Sequence, residues 1–237
     1  KMIKDESKWL CKNKVKFIIQ SKRMNLYFKY IKKLIEKNAA YICTCDSNEF
    51  KNLILKSKPC LCRSISKNEQ LKRWKKMLSK NGYKQGEAVL RFKSNLNDKN
   101  PAMRDFPLAR INLTTHALQK NKYKVWPLMN LAVSVDDIEQ GITHVIRGKD
   151  HKDNAERQKM IYKVLNKKFP WIAFIGRLHL KELPLSSSKI RQDIENGKYK
   201  GWDDPKLPTI ASLKKQGYKP EAFWKYAEDR GISEADK

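Results

Sequence analysis

Acidic residues are scarce in this chain: 25 Asp and Glu stand against 52 Lys and Arg, a formal net charge of +27. Long apolar runs are missing too. None approaches the ~18 residues that span a bilayer, and no apolar stretch leads into a small-residue cleavage site. No basic amphipathic helix is clean enough to lie on a membrane. A membrane partner is therefore set aside, and a cytoplasmic protein is expected. Internal repeats and low-complexity tracts are absent, which excludes a solenoid array. The four histidines, His116, His144, His151 and His179, are scattered without the spacing of a nucleophile–base pair or a metal site.

What remains is a 237-residue chain, 40% hydrophobic, long enough for one large or two small domains with a proper core. The cationic excess favours a polyanionic partner, because each cation near a phosphate releases a counterion. Since most cations are Lys, a merely solvated basic surface is the alternative. Lys1 stands first and the charged GISEADK last, so the sequence reads as an excised piece.

The pattern of residues predicts alternating elements. Met24, Tyr27, Phe28, Ile31, Leu34 and Ile35 form one face of a helix over 21–38, with Ser21 as its cap. AAYIC predicts a short strand. Ser66 to Glu69 predicts a capping box that opens a helix through Leu78. EAVLRFK predicts a strand, and residues 95–107 are loop-rich. From Tyr123 a helix over 128–139, strand THVIR, a helix over 152–165 and strand WIAFI suggest βα units around a parallel sheet. Two amphipathic helices follow, over 209–216 and 220–229.

Cys43-Thr44-Cys45 and Cys60-Leu61-Cys62 form two C-x-C doublets fourteen residues apart. Four thiolates enclose Zn²⁺ tetrahedrally and fill every position, which makes a structural rather than a catalytic site. Disulfides fit poorly in a chain without a secretory signal; four small core residues are the plain alternative. Cys11, alone, is expected as a buried small hydrophobe.

Ser186-Ser187-Ser188-Lys189 offers hydroxyls and an ammonium where a helix opens, a phosphate-binding chemistry that many inert surface loops share. Gly176, Arg177 and Leu178 follow a strand end, where doubly wound sheets bind ligands; an ordinary turn glycine is the other reading. Arg147 ends strand THVIR and suits a bidentate grip on a carboxylate, or a salt bridge to Asp150 or Asp153. Asn130 and Met129 face that strand end, with Met129 expected as core packing. Asp136 and Asp137 sit at a helix C-terminus, where the dipole disfavours them and calls for a cationic partner such as Arg147. Arg104-Asp105 and Arg91-x-Lys93 either track phosphates or form a solvated rim.

In order along the chain, IIQSKRMNLYFKYIKKLI, YICTC, GEAVLRFK, NPAMRDFPLARI, YKVWPLMN, THVIRGKDHKDN, GRLHL, LSSSK and GWDDPKLPTIASLKKQGY resemble class I aminoacyl-tRNA synthetases. The similarity is to the glutamyl/glutaminyl branch, and within it to the archaeal glutamyl type. The resemblance implies an α/β fold: part of a split Rossmann-type parallel sheet, an α+β zinc-containing acceptor-binding insert and a C-terminal helical subdomain. Residues 1–40 would end the first Rossmann half and 41–122 form the insert. Residues 123–197 would form the second half with its KMSKS-type loop, and 198–237 a helical stem-contact subdomain.

The implied reaction activates glutamate with ATP, assisted by Mg²⁺, and transfers it to tRNA(Glu), with tRNA(Gln) a second candidate; DNA is not an implied partner. Arg147 would hold glutamate, with Asn130 and Met129 in the same pocket. Gly176, Arg177, Leu178, Ser186 and Ser188 would frame ATP, and Lys189 with Ser187 would form the catalytic loop, lining one cavity with Arg147. Asp153 and Arg104 would meet tRNA. Cys43, Cys45, Cys60 and Cys62 match the zinc site of some members.

Three departures stand out. No HIGH-type motif is present, so the piece alone is expected to be inactive; an anticodon-binding domain is also missing. Ser187 stands where the family loop has Lys, and Met129 where a glutamate-binding Tyr is usual. The charge of Arg147 favours glutamate over glutamine, since a buried guanidinium facing a neutral amide is costly. A glutaminyl relative, a truncated paralogue that glutamylates a modified nucleoside and a non-catalytic zinc-stapled tRNA-binding module remain as alternatives.

Overall fold

Elements form where hydrophobic period and caps agree. The computed structural model describes residues 2–177 and 186–236. After helix α1 (Met2–Leu10), helix α2 (Met24–Glu36) buries Met24, Tyr27, Ile31, Leu34 and Ile35 on the stripe their spacing predicts. Its N-cap is Arg23 rather than Ser21, which lies in a preceding 3-10 turn, Gln20–Lys22, and makes no cap bond. Strand β1 (Ala40–Cys43) follows. Helix α3 (Ser47–Leu55), in the gap between the cysteine doublets, is capped by Asp46, whose carboxylate accepts from the N–H groups of Asn48 and Glu49. Helix α4 (Lys67–Leu78) starts on Ser66, whose side chain accepts from the Glu69 N–H, as the capping box predicts.

Strands β2 (Val89–Phe92), β3 (Pro107–Ile111) and β4 (Val125–Pro127) complete a four-stranded antiparallel sheet in the order β1-β2-β3-β4. A register shift between Leu90 and Arg91 marks a bulge in β2. Helix α5 (Met129–Gln140) ends on Gly141 at φ +63°, the left-handed stop that glycine adopts without strain. Strand β5 (His144–Gly148), helix α6 (Lys152–Val164) and strand β6 (Trp171–Ile175) give the expected strand–helix–strand alternation, and β5 pairs with β6 in a second sheet. Helices α7 (Ser187–Glu195), α8 (Ile210–Lys215) and α9 (Pro220–Arg230) close the chain. The architecture is mixed α/β, and no helix is long and apolar enough to cross a membrane among the described residues.

Two compact units divide these elements. One takes 19–145 and 150–172; the other takes 1–18, 146–149 and 173–237. The first holds the main core, where Tyr27, Ile31 and Leu34 of α2 meet Leu90, Leu108, Leu131 and Ile161. A smaller cluster, Tyr41, Phe50 and Ile54 with Cys43, Cys60 and Cys62, lies beside it. In the second unit, Trp9 of α1 meets Phe223 of α9 edge to face, and Lys12 pairs with Glu221.

Cys11 is exposed, not buried: it lies in the turn after α1, a helix that buries none of its own residues. Asp136 has a cationic partner in Arg23, at 3.2 Å. Because α2 packs on α5, Asp136 also accepts from the Tyr27 hydroxyl (2.8 Å) and Gln20 Nε2 (2.9 Å).

Candidate functional site

Strand β1 and the 3-10 turn Leu61–Arg63 bring the two cysteine doublets together. All four are unbridged, and their Sγ atoms lie within 4.8 Å of one another. Cys43 and Cys60 Sγ are 3.9 Å apart, Cys45 and Cys62 Sγ 3.8 Å. A tetrahedron with Zn–S bonds of ~2.3 Å has edges of ~3.8 Å, so the donor set fits zinc.

Its electrostatics point the same way. The hydrogen bond from Cys43 pulls the Cys60 thiol down to about 5, while that bond and burial push Cys43 up. Burial and the Cys60 charge raise Cys45 to about 11. For Cys62, burial is outweighed by hydrogen bonds from Thr44 and Arg73, and its thiol is lowered. Thiols so close compete for one negative charge; a central divalent cation lets all four ionise.

The surrounding layer is built for this arrangement. The Thr44 N–H (3.4 Å) and Arg73 Nη1 (3.5 Å) donate to Cys62 Sγ. Gln70, 2% exposed, accepts from the Ile42 N–H and donates to the Cys62 carbonyl, tying β1 to the turn. Tyr41 donates to Asp105, which also accepts from Arg63 Nε (2.9 Å) and the Ser94 N–H. Asp105 is thus no solvated rim residue; it is 1% exposed and fastens the loop before β3 to the turn at Arg63.

Beside this cluster, in the same unit, a cavity of about 490 Å³ opens between α3, β2, β3, α5 and α6. Phe50, Ile54, Phe106 and Leu128 form apolar walls, and Lys51, Arg91, Arg104 and Arg157 supply positive charge. Arg91 stacks 3.4 Å from the Phe50 ring centroid, and its buried Nε has no hydrogen-bond partner among the described residues. Arg104 is held by the carbonyls of Asp98 (2.8 Å) and Ile54 (2.8 Å), the latter at the C-terminal end of α3. Met129 reaches this cavity 44% exposed, so it is not core packing; it stands on the first turn of α5. Asn130, 9% exposed, lines the cavity beside it. Asp153, on α6, is exposed and accepts from Asn100 Nδ2 at 3.2 Å.

The other unit holds the remaining candidates. Arg147 is half-buried on β5. Gly176 follows β6, and its close neighbour is the chain's own tail: a Cβ there would come within 2.1 Å of the Ala235 carbonyl. The Arg177 N–H donates to Asp236 Oδ1 at 2.7 Å. Ser186 caps α7 through the Lys189 N–H (3.4 Å), and Ser187, Ser188 and Lys189 stand exposed on its first turn. Leu178 lies outside the described residues. The sequence reading singled out none of Gln70, Arg73, Asn154 and Arg157, polar side chains on helices, although Asn154 closes the segment THVIRGKDHKDN. Helical spacing was the available signal, in Gln70 with Arg73 and in Asn154 with Arg157 and Gln158.

Comparison with known proteins gives a consistent picture. Residues 1–237 match the family profile described as tRNA synthetases class I (E and Q), catalytic domain. The glutamate–tRNA ligase of Pyrococcus horikoshii is 44% identical over 238 aligned residues, covering 100% of this chain and 41% of that protein. That of Methanococcus maripaludis (strain C7) is 43% identical, covering 99% and 42%. The chain therefore spans about two-fifths of the length of these relatives. Among solved structures, a glutamate-tRNA synthetase from Elizabethkingia anophelis superposes with a TM-score of 0.53 at 20% identity. That match covers 94% of this chain and 49% of the other, and it speaks for the fold alone.

Proposed function

The chain belongs to the class I tRNA synthetases of the E and Q kind, through their catalytic domain, and on that premise we propose that it is a catalytic-core segment of a glutamate–tRNA ligase. The observation that carries the reading is its 43–44% identity, end to end, to archaeal proteins of that name. The proposed reaction joins the glutamate carboxylate to the α-phosphate of ATP with release of pyrophosphate, and then passes the glutamyl group to a hydroxyl of the terminal adenosine of tRNA(Glu) or tRNA(Gln) with release of AMP. This reading places the protein in cytoplasmic protein synthesis.

On this reading 1–40 end the first half of the nucleotide fold, and 41–122 form the acceptor-binding insert. Residues 123–197 form the second half and 198–237 the stem-contact part. Such chemistry rests on positioning and charge stabilisation. Arg147 is assigned to a carboxylate of glutamate and, separately, Asn130 and Met129 to glutamate contact from the cavity they line; Gly176, Arg177, Leu178, Ser186 and Ser188 are assigned to ATP. Lys189, with Ser187, steadies the leaving pyrophosphate from the first turn of α7, where exposed N–H groups favour anions. Arg104 and Asp153 meet the acceptor end of tRNA. Cys43, Cys45, Cys60 and Cys62 hold zinc, which supplies folding energy rather than chemistry. Among the described residues those cysteines are the only group of three or more metal-ligating side chains, so no residue is assigned to magnesium and no step is routed through it.

A charged amino-acid pocket favours glutamate over glutamine because a guanidinium left facing a carboxamide is poorly compensated. The test is glutamate-dependent ATP–pyrophosphate exchange by the full-length gene product. Arg147→Ala should lower kcat/KM for glutamate about 100-fold or more, since stranding a desolvated charge costs ~3–5 kcal/mol. Unchanged exchange removes Arg147 from the pocket.

A further inference from the structure

The basic cavity is lined by an amide, that of Asn130, whose orientation its neighbours dictate. Asn130 Nδ2 donates to Asn154 Oδ1 (3.2 Å), and Asn130 Oδ1 accepts from Gln158 Nε2 (3.2 Å). Asn154 Oδ1 also accepts from Arg157 Nη1 (3.0 Å), and Asn154 Nδ2 donates to His151 Nδ1 (3.1 Å). Carboxamides alone can sit either way round, because oxygen and nitrogen occupy nearly equal space. A guanidinium has no such choice: it only donates.

Arg157 is anchored through Nε to the Ala102 carbonyl (2.9 Å) and turns Nη1 to Asn154. Asn154 must therefore face it with oxygen. That oxygen takes its second hydrogen from Asn130, which leaves the Asn130 oxygen for Gln158. His151 is left with a bare Nδ1 and its proton on Nε2, 3.7 Å from the Asp150 carboxylate. One donor-only group thus sets the polarity of four side chains.

The two ends of Asn130 differ in their surroundings. Its nitrogen bonds to Asn154, which lines the cavity together with Arg157; its oxygen bonds to Gln158, which is 2% exposed and not part of the lining. The other charged groups of the lining include Lys51, Arg91 and Arg104, all donors, and Asp105, whose oxygens are taken by Tyr41, Arg63 and Ser94. Resting on the reading of Asn130 as a glutamate contact, we propose that Arg157 is a positioning residue for specificity. Acting through Asn154, it holds the donor end of Asn130 toward the cavity, so that the site takes an acceptor-only carboxylate in preference to the matching carboxamide.

The test uses the full-length gene product in ATP–pyrophosphate exchange with glutamate and with glutamine, and thermal unfolding of each variant. Arg157→Gln replaces a donor-only group by one that can face either way. It should raise KM for glutamate about tenfold, change kcat less than about threefold, and lower the preference for glutamate over glutamine to match. Arg157→Lys restores a donor-only group and should recover most of that preference. Gln158→Glu, nearly isosteric, opposes the Asn130 oxygen with another acceptor and should reproduce the Arg157→Gln pattern. Asn130→Ala separates the two levels. A raised KM there, with KM and preference unchanged in Arg157→Gln and Gln158→Glu, overturns the proposal alone. If Asn130→Ala leaves KM for glutamate unchanged, the reading of Asn130 as a contact fails and the proposal falls with it. Equal loss of kcat and of thermal stability in Arg157→Gln and Arg157→Lys would assign Arg157 a purely structural part, which also overturns it.

Discussion

Single residues are where sequence and structure part most often, because a partner far along the chain is invisible to local pattern. Asp136 is the clearest case. Its place at a helix C-terminus signals a partner, yet Arg23, Tyr27 and Gln20, more than a hundred residues earlier, are what it meets. Burial and the Asp136 hydrogen bond together raise the Tyr27 hydroxyl well above its ordinary range, so it is a donor at neutral pH. Tyr27→Phe removes that donor from a carboxylate 6% exposed and should cost about 1–3 kcal/mol. Asp136→Ala should cost more, roughly 3–5 kcal/mol, because it also strands the Arg23 guanidinium. Urea midpoints of the two variants check this ranking; a milder effect for Asp136→Ala would show that Arg23 finds water instead. Met129 teaches a related lesson. As a residue type it reads as core, and only the packing of α5 shows it exposed at a cavity.

Elements were legible where caps and periodicity acted together. The Ser66 box fixes the start of α4, and the apolar stripe of α2 fixes its buried face. Helix α3 was not legible, because only Phe50 and Ile54 are buried along it and its start rests on Asp46 alone. Helix α1, which buries none of its own residues, was not read from the sequence either. On the zinc reading, the turn Leu61–Arg63 is the element expected to depend on metal. It is three residues long, and its side-chain ties run from Gln70 to the Cys62 carbonyl, from Arg63 to Asp105 and from Thr44 and Arg73 to Cys62 Sγ, around the cysteine quartet. Removing zinc with a chelator leaves four close thiols competing for charge, and β1, α3 and this turn should loosen together. Amide exchange over 40–65 should speed up while α2, α5 and α6 keep their protection, and zinc should be recovered near one equivalent per chain. Uniform loss of protection would mean that the main core leans on the metal too; under half an equivalent of zinc after reducing purification would count against the site.

For the whole molecule, charge is the property that no contact network absorbs. With 52 cations against 25 acids, carboxylates are too few to match the cations one for one, and a formal net charge of +27 remains. A tRNA partner should therefore bind with strong salt dependence. If about four phosphates are neutralised, affinity should fall on the order of a hundredfold between about 50 and 200 mM salt. Filter binding of tRNA to the chain checks this, and a flat salt response would rule out phosphate contacts as the basis of binding.

The sequence by itself determined the α/β class, the stripe of α2, the cysteine quartet and the family, because each rests on residue type at short spacing or on order along the chain. Tertiary structure alone decided which cation Asp136 meets, that Asp105 is buried, and that Arg157 governs Asn130 through Asn154. Those outcomes depend on which helix faces which strand, and hydrogen-bond direction between distant side chains leaves no periodic trace in the chain that encodes it.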